Sequence, residues 1–286
     1  MSFFVTFLLF LVGGTIFVLA KSWNGLTQIW ATSRDTFGGE SAERVLKDRK
    51  RALSSNELPQ PADIREFAFR GFKFYNSSQA ALEALGCTML GDFALDHAEW
   101  VRPGFRTFLR VLRSRDREIV CSIIDATPHL AGMSVFEKLH FYFVGTHKKN
   151  RKAVSLRTEL SDGRFVITAT DMDLVREELP AHVLKETLPS KTTAAELMNR
   201  HRVRIARAID DAPAIVVRIG TVEEHGQSWV RHQRILRAWR ETIGYALTET
   251  EHRDFTDVRS PLQKDLADSM LESMRALESD PKRQAS

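Results

Sequence analysis

Residues 153–170 read AVSLRTELSDGRFVITAT, and the reading of this stretch decides the fold. Ala153–Leu160 and Arg164–Thr170 alternate with a period of two, with Val154, Leu156 and Thr158 on one face of the first run and Phe165, Ile167 and Ala169 on one face of the second. That period belongs to strands. Asp162 and Gly163 between the runs suit the positive φ angles of a tight hairpin turn, so an antiparallel pair is expected here.

Similar strand signals lie upstream. Cys87–Leu95 alternates moderately, Phe105–Leu112 is apolar with Arg106 and Arg110 interspersed, and 118–124 carries Ile119, Val120, Cys121, Ile123 and Ile124. Ser114–Arg117 reads as a hairpin loop, and 139–144 is an aromatic strand candidate closed by Gly145. Phe67, Phe69, Phe72 and Phe74 alternate around Gly71, which predicts a strand with a bulge. Ser77 or Ser78 is placed to cap a short helix through Leu85, with Gly86 to end it. Residues 65–170 therefore predict an antiparallel sheet of about six or seven strands packed by at least one helix.

Downstream the period changes to that of helices. Thr192–Asp210 puts Leu197, Ile205 and Ala208 on one face. Ser228–Ala246 aligns Trp229, Leu236, Trp239 and Ile243, and 261–277 aligns Leu262, Leu266, Met270, Met274 and Leu277. Ala214–Ile219 is a short apolar run that fits either a last strand or a buried connection. The fold class is α+β: an N-terminal transmembrane helix, an antiparallel sheet packed with helices, and a helical C-terminal region.

The chain has 286 residues, 43% hydrophobic and 27% charged, with 15 Gly, 9 Pro and 2 Cys, which excludes a collagen, a disulfide-stapled miniprotein and a mainly disordered chain. This average conceals its most unusual segment. Residues 2–20 hold no charge and include thirteen of Phe, Leu, Val and Ile, enough to span about 30 Å as a helix. The segment reads as an uncleaved anchor. The rival, a cleaved secretory signal, calls for a basic leader and a shorter apolar core. Lys21, Arg34, Arg44, Lys47, Arg49, Lys50 and Arg51 follow the run, so the positive-inside rule places the body in the cytoplasm, with Trp23 and Trp30 as interfacial anchors. The organisation expected is an anchor at 1–21, a membrane-proximal connector at 22–63, an α+β domain at 64–180, a helical region at 181–278 and a frayed tail at 279–286.

Motifs of chemistry are scarce. The sequence has no GxSxG elbow, Walker A loop, HExxH, CxxC pair or GxGxxG, and no motif calls for a cofactor. Asp92, Asp96 and His97 lie close together, an Asp/His group of a type that can do acid–base work or hold a metal, although a loop or capping role accounts for it more simply. His225 and His232 share a helical spacing but have no local third ligand, so no metal site is assigned. His201 falls on an apolar helix face, as a hydrogen-bonded core histidine does. Cys87 and Cys121 read as small buried hydrophobes.

Charge is unevenly placed. Residues 100–152 carry 11 Lys/Arg against 4 Asp/Glu and residues 200–240 carry 9 against 4, whereas 153–198 carry 5 against 8. Arg231, Arg234 and Arg237 make the best candidate binding face, for a protein partner or anionic lipid. Nucleic acid is not expected, because Trp229 and Trp239 sit on the face assigned to the core and leave no stacking platform. Two functions remain open: a membrane-anchored module with a cytoplasmic domain that binds a protein or an anionic surface, and a tethered hydrolase whose site is assembled from distant residues.

Overall fold

The hairpin forms around its glycine. In a computed structural model of the chain, which describes residues 59–67, 72–96, 106–125, 151–172, 178–244 and the single positions 248, 272 and 276, β5 (Lys152–Glu159) pairs antiparallel with β6 (Phe165–Thr170). The N–H of Gly163 donates to the Leu160 carbonyl at 2.9 Å, and Gly163 takes φ +87°, where a Cβ would be strained. Asp162 does not share the positive φ; its carboxylate instead accepts from the Arg164 N–H at 3.1 Å.

Five further strands complete the sheet: β1 (Gln60–Pro61), β2 (Thr88–Asp96), β3 (Arg106–Arg113), β4 (Val120–Asp125) and β7 (Val183–Leu188). The seven lie side by side in chain order, each antiparallel to the one before except β7, which runs parallel to β6. All belong to one compact unit, Asp48–Glu251. The strand expected at 139–144, the apolar run at 2–20 and, apart from positions 272 and 276, the helix at 261–277 lie outside the described residues. Among the described residues no helix is long and apolar enough to cross a membrane.

The phenylalanine-rich segment corrects an expectation. It forms a 3-10 turn (Ile64–Phe67) and then helix α1 (Phe72–Glu83), not a bulged strand. Tyr75 and Leu82, two helical turns apart, are the buried pair, while Phe72 stays 36% exposed, so the period-two aromatics never formed one inward face. Ser77 lies within the helix and donates to the Phe74 carbonyl instead of capping. Gly86 does end it: at φ +84° its N–H donates to Glu83 and that of Cys87 to Leu82, a Schellman pair.

Register divides the sheet into two faces. Glu159 stands opposite Phe165, and Arg157 opposite Ile167, so Phe165 and Ile167 point away from the side carrying Leu156 and Thr158. Helix α1 and helix α2 (Ala194–Asp211) cover the Leu156 side, closing a core with Phe108, Leu112, Cys121, Ile123 and Leu197. Tyr75 stitches that core: its hydroxyl donates to the Phe108 carbonyl at 3.0 Å and accepts from the Asp125 N–H at 2.9 Å. His201 of α2 lies between Thr158 (3.1 Å) and Thr168 (2.9 Å), the hydrogen-bonded core histidine foreseen.

The opposite face is covered by helix α3 (Val222–Thr242), which packs Ile235 and Leu236 on Phe165, Ile167 and Val183. It begins six residues before the apolar spacing of Trp229, Leu236 and Trp239 implied. Thr221 and Glu224 form a capping box, Thr221 Oγ1 accepting from the Glu224 N–H at 3.1 Å and Glu224 accepting from the Thr221 N–H at 3.0 Å. That cap is of the same size as the helix penalty of Gly226 and offsets it. Thr221→Ala should therefore cost about 1 kcal/mol, measured by urea denaturation. Ala214–Ile219 is a connection that bridges Leu160 at Val216 and buries Ile219.

Candidate functional site

The inward stripe of α3 is polar where a core helix would be apolar. At helical spacing it presents His225, Ser228, Trp229 and His232 to the sheet, and His225 and Ser228 are buried. Beneath them lie Arg157 and Glu159, placed on this face by the hairpin register.

Arg157 is the central group. Its guanidinium stands 5.5 Å from the Trp229 ring centre, and Nη2 lies 3.5 Å from Nδ1 of His225. Burial lowers its pKa to about 10, with Glu159 opposing that shift and Arg231 adding to it. Glu159 is buried and accepts from Arg231 at both oxygens, at 2.5 and 2.9 Å, which fits a bidentate pair. His225 packs against Phe93 with ring centres 5.6 Å apart, and burial, then Arg157, lower its pKa to about 4. His232 packs on Phe165 at 4.9 Å and is pushed down to about 3 by burial, Arg157 and Lys185. Both imidazoles are neutral at pH 7 and more weakly basic than a free histidine. With Nδ1 facing the Arg157 donors, His225 carries its proton on Nε2, which has no hydrogen-bond partner among the described residues, and neither ring nitrogen of His232 has one among them.

A groove of about 630 Å³ opens beside this cluster. Pro59, Phe93, Val222 and Val230 supply apolar walls, and the exposed Glu223, Gln227, Arg231 and Arg234 supply polar ones. A second hollow of about 550 Å³ shares Phe93 and Val222 with it and reaches Asp92 and Asp63.

The residues singled out from sequence are dispersed. Asp92 lies on the α1 side, where Arg110 donates to its two oxygens at 2.8 Å each. The same guanidinium reaches Gln79 at 2.9 Å and Asn76 at 3.3 Å, and its pKa is raised by Asp92. Asp96 ends β2 opposite Arg106, and His97 lies outside the described residues. Of the three arginines, Arg231 is bound to Glu159, Arg237 is half-buried, and Arg234 is exposed on the groove. On α2, Arg200 and Arg204 pair with Glu186 and Arg202 with Asp116, so much of that basic charge is locally neutralised. Among the described residues no three His, Cys, Asp or Glu side chains converge as metal ligands do.

Sequence reasoning passed over Arg157 and Glu159. They alternate with apolar residues in a hairpin strand and stand in no motif, and the capping box at Thr221 was the available signal that a helix begins early enough to cover them. Compared with protein-family models, curated proteins and solved structures, this chain matches none.

Proposed function

We propose that this protein is a single-pass membrane-anchored interaction module, held by residues 2–20, whose cytoplasmic α+β domain binds a protein partner in the groove along α3. The observation that carries it is the groove itself: a concave apolar floor at Phe93, Val222 and Val230 beside the exposed cation of Arg234. Such a surface accepts an apolar anchor side chain next to a carboxylate. A flat anionic bilayer fits a concave floor less well. The hydrolase alternative draws no comparable support, since Asp92 has its carboxylate occupied by Arg110 and the buried histidines are weak bases.

Val222 is 44% exposed at the first position of α3, where an acidic residue favours the helix, so Val222→Asp and Arg234→Glu should change stability by no more than about 0.5 kcal/mol. Partners cross-linked to the wild-type chain in membranes and then solubilised should be lost from both variants, with affinity down at least about tenfold, a difference of about 1.4 kcal/mol. An identical partner set on all three proteins would refute the groove as the contact. Release of the intact chain by alkaline carbonate would refute the anchor.

A further inference from the structure

The two cysteines of this chain, 34 positions apart, meet in the core. Their Sγ atoms lie 3.8 Å apart; Cys87 is 4% exposed and Cys121 fully buried, and both are thiols. We infer that Cys87 and Cys121 form an oxidative modification site, at which a hydroperoxide converts the pair into an intramolecular disulfide tying the α1–β2 connection to β4.

Geometry favours closure. A disulfide bond of about 2.05 Å requires the sulfurs to approach by about 1.8 Å from their 3.8 Å contact. Cys121 is fixed inside β4, paired with Leu112 of β3 and Leu156 of β5. Cys87 lies outside the strand ladder, between the Gly86 turn and the start of β2. The asymmetry also assigns roles. Cys87 keeps a trace of exposure, and the hydrogen bond with Cys121 holds its pKa below that of an ordinary thiol, whereas Cys121 is pushed up by that same bond and by burial. The Cys87 thiolate therefore attacks the peroxide. Its sulfur takes one peroxide oxygen as a sulfenic acid, and the other leaves with the proton the Cys87 thiol gave up, as water from hydrogen peroxide or as an alcohol from an organic hydroperoxide. The Cys121 thiol then displaces the sulfenic hydroxyl, which leaves with the Cys121 proton as water as the S–S bond forms, so one peroxide accepts the two electrons of the two thiols.

Full-length reduced protein in detergent, treated with hydrogen peroxide, should lose two hydrogens in intact mass. It should also lose both thiols and yield one Cys87–Cys121 cross-linked peptide, all reversed by dithiothreitol. The oxidised form should unfold at higher urea, because the closed loop restricts the unfolded chain. Cys121→Ala should stop at a sulfenic acid on Cys87, trapped by dimedone, and Cys87→Ala should leave Cys121 a thiol. Should either variant fail to fold, the wild-type peptide map still decides. Thiols that persist under peroxide that oxidises free glutathione would overturn the inference. So would sulfinic or sulfonic acids, or links between chains, in place of the internal disulfide.

Discussion

Lowering the pH from 7 to 5 should remove about 6 kcal/mol of folding stability, comparable to the whole stability of many domains. Three histidines are responsible. Burial, reinforced by nearby arginines, lowers His201 from 6.5 to about 3, His225 to about 4 and His232 to about 3. Each folded-state pKa lies below the unfolded value, so between the two the unfolded chain binds the extra proton. Stability is then complete above pH 6.5 and falls as the pH drops through 6.5 towards 4 or 3. At pH 5 each histidine withdraws about 2 kcal/mol. Urea titrations at pH 7, 6 and 5 would measure the slope, and a flat profile would refute this account of the buried imidazoles. His232→Leu removes two unpartnered ring nitrogens next to Phe165, and it should both stabilise the protein at pH 7 by about 1 kcal/mol and take away about a third of the acid slope.

Arg110→Leu should destabilise the domain by about 3 kcal/mol. The Arg110 and Asp92 side chains are only 10% and 17% exposed, so removing the cation strands a carboxylate that water reaches poorly. Asn76 and Gln79 lose their donor in the same step. Asp92→Asn should be milder, about 1 to 2 kcal/mol, because the amide oxygen still accepts from Arg110. Thermal denaturation of both variants, read beside partner binding, separates the two functions left open by the sequence. In an interaction module Asp92→Asn lowers the melting temperature and leaves groove binding intact. Loss of an activity at unchanged stability would instead restore Asp92 as a catalytic group.

Legibility followed the length scale of the signal. The β5–β6 hairpin could be read because period two and an Asp-Gly turn act within 18 residues. Helix α2 was legible from Leu197, Ile205 and Ala208, and its start at Thr193 is a local cap. The segment from Phe67 to Phe74 was misread because alternating aromatics satisfy a strand template locally, and only the burial of Tyr75 against Phe108 and of Leu82 in the same core selects the helix. The candidate site was less legible still. Arg157 and His225 are 68 positions apart, and nothing within either neighbourhood marks the other.

The sequence by itself determined the α+β class, the hairpin with its glycine turn, helix α2 and the unequal distribution of basic charge, because each depends on residues a few positions apart. Only the tertiary structure decided that Asp92 serves Arg110, that Arg231 serves Glu159, and that Arg157 and Glu159 are buried under α3. The same holds for the sulfur contact of Cys87 and Cys121. Those outcomes depend on strand register and on which helix covers which face, and a one-residue change of register would reverse every one of them.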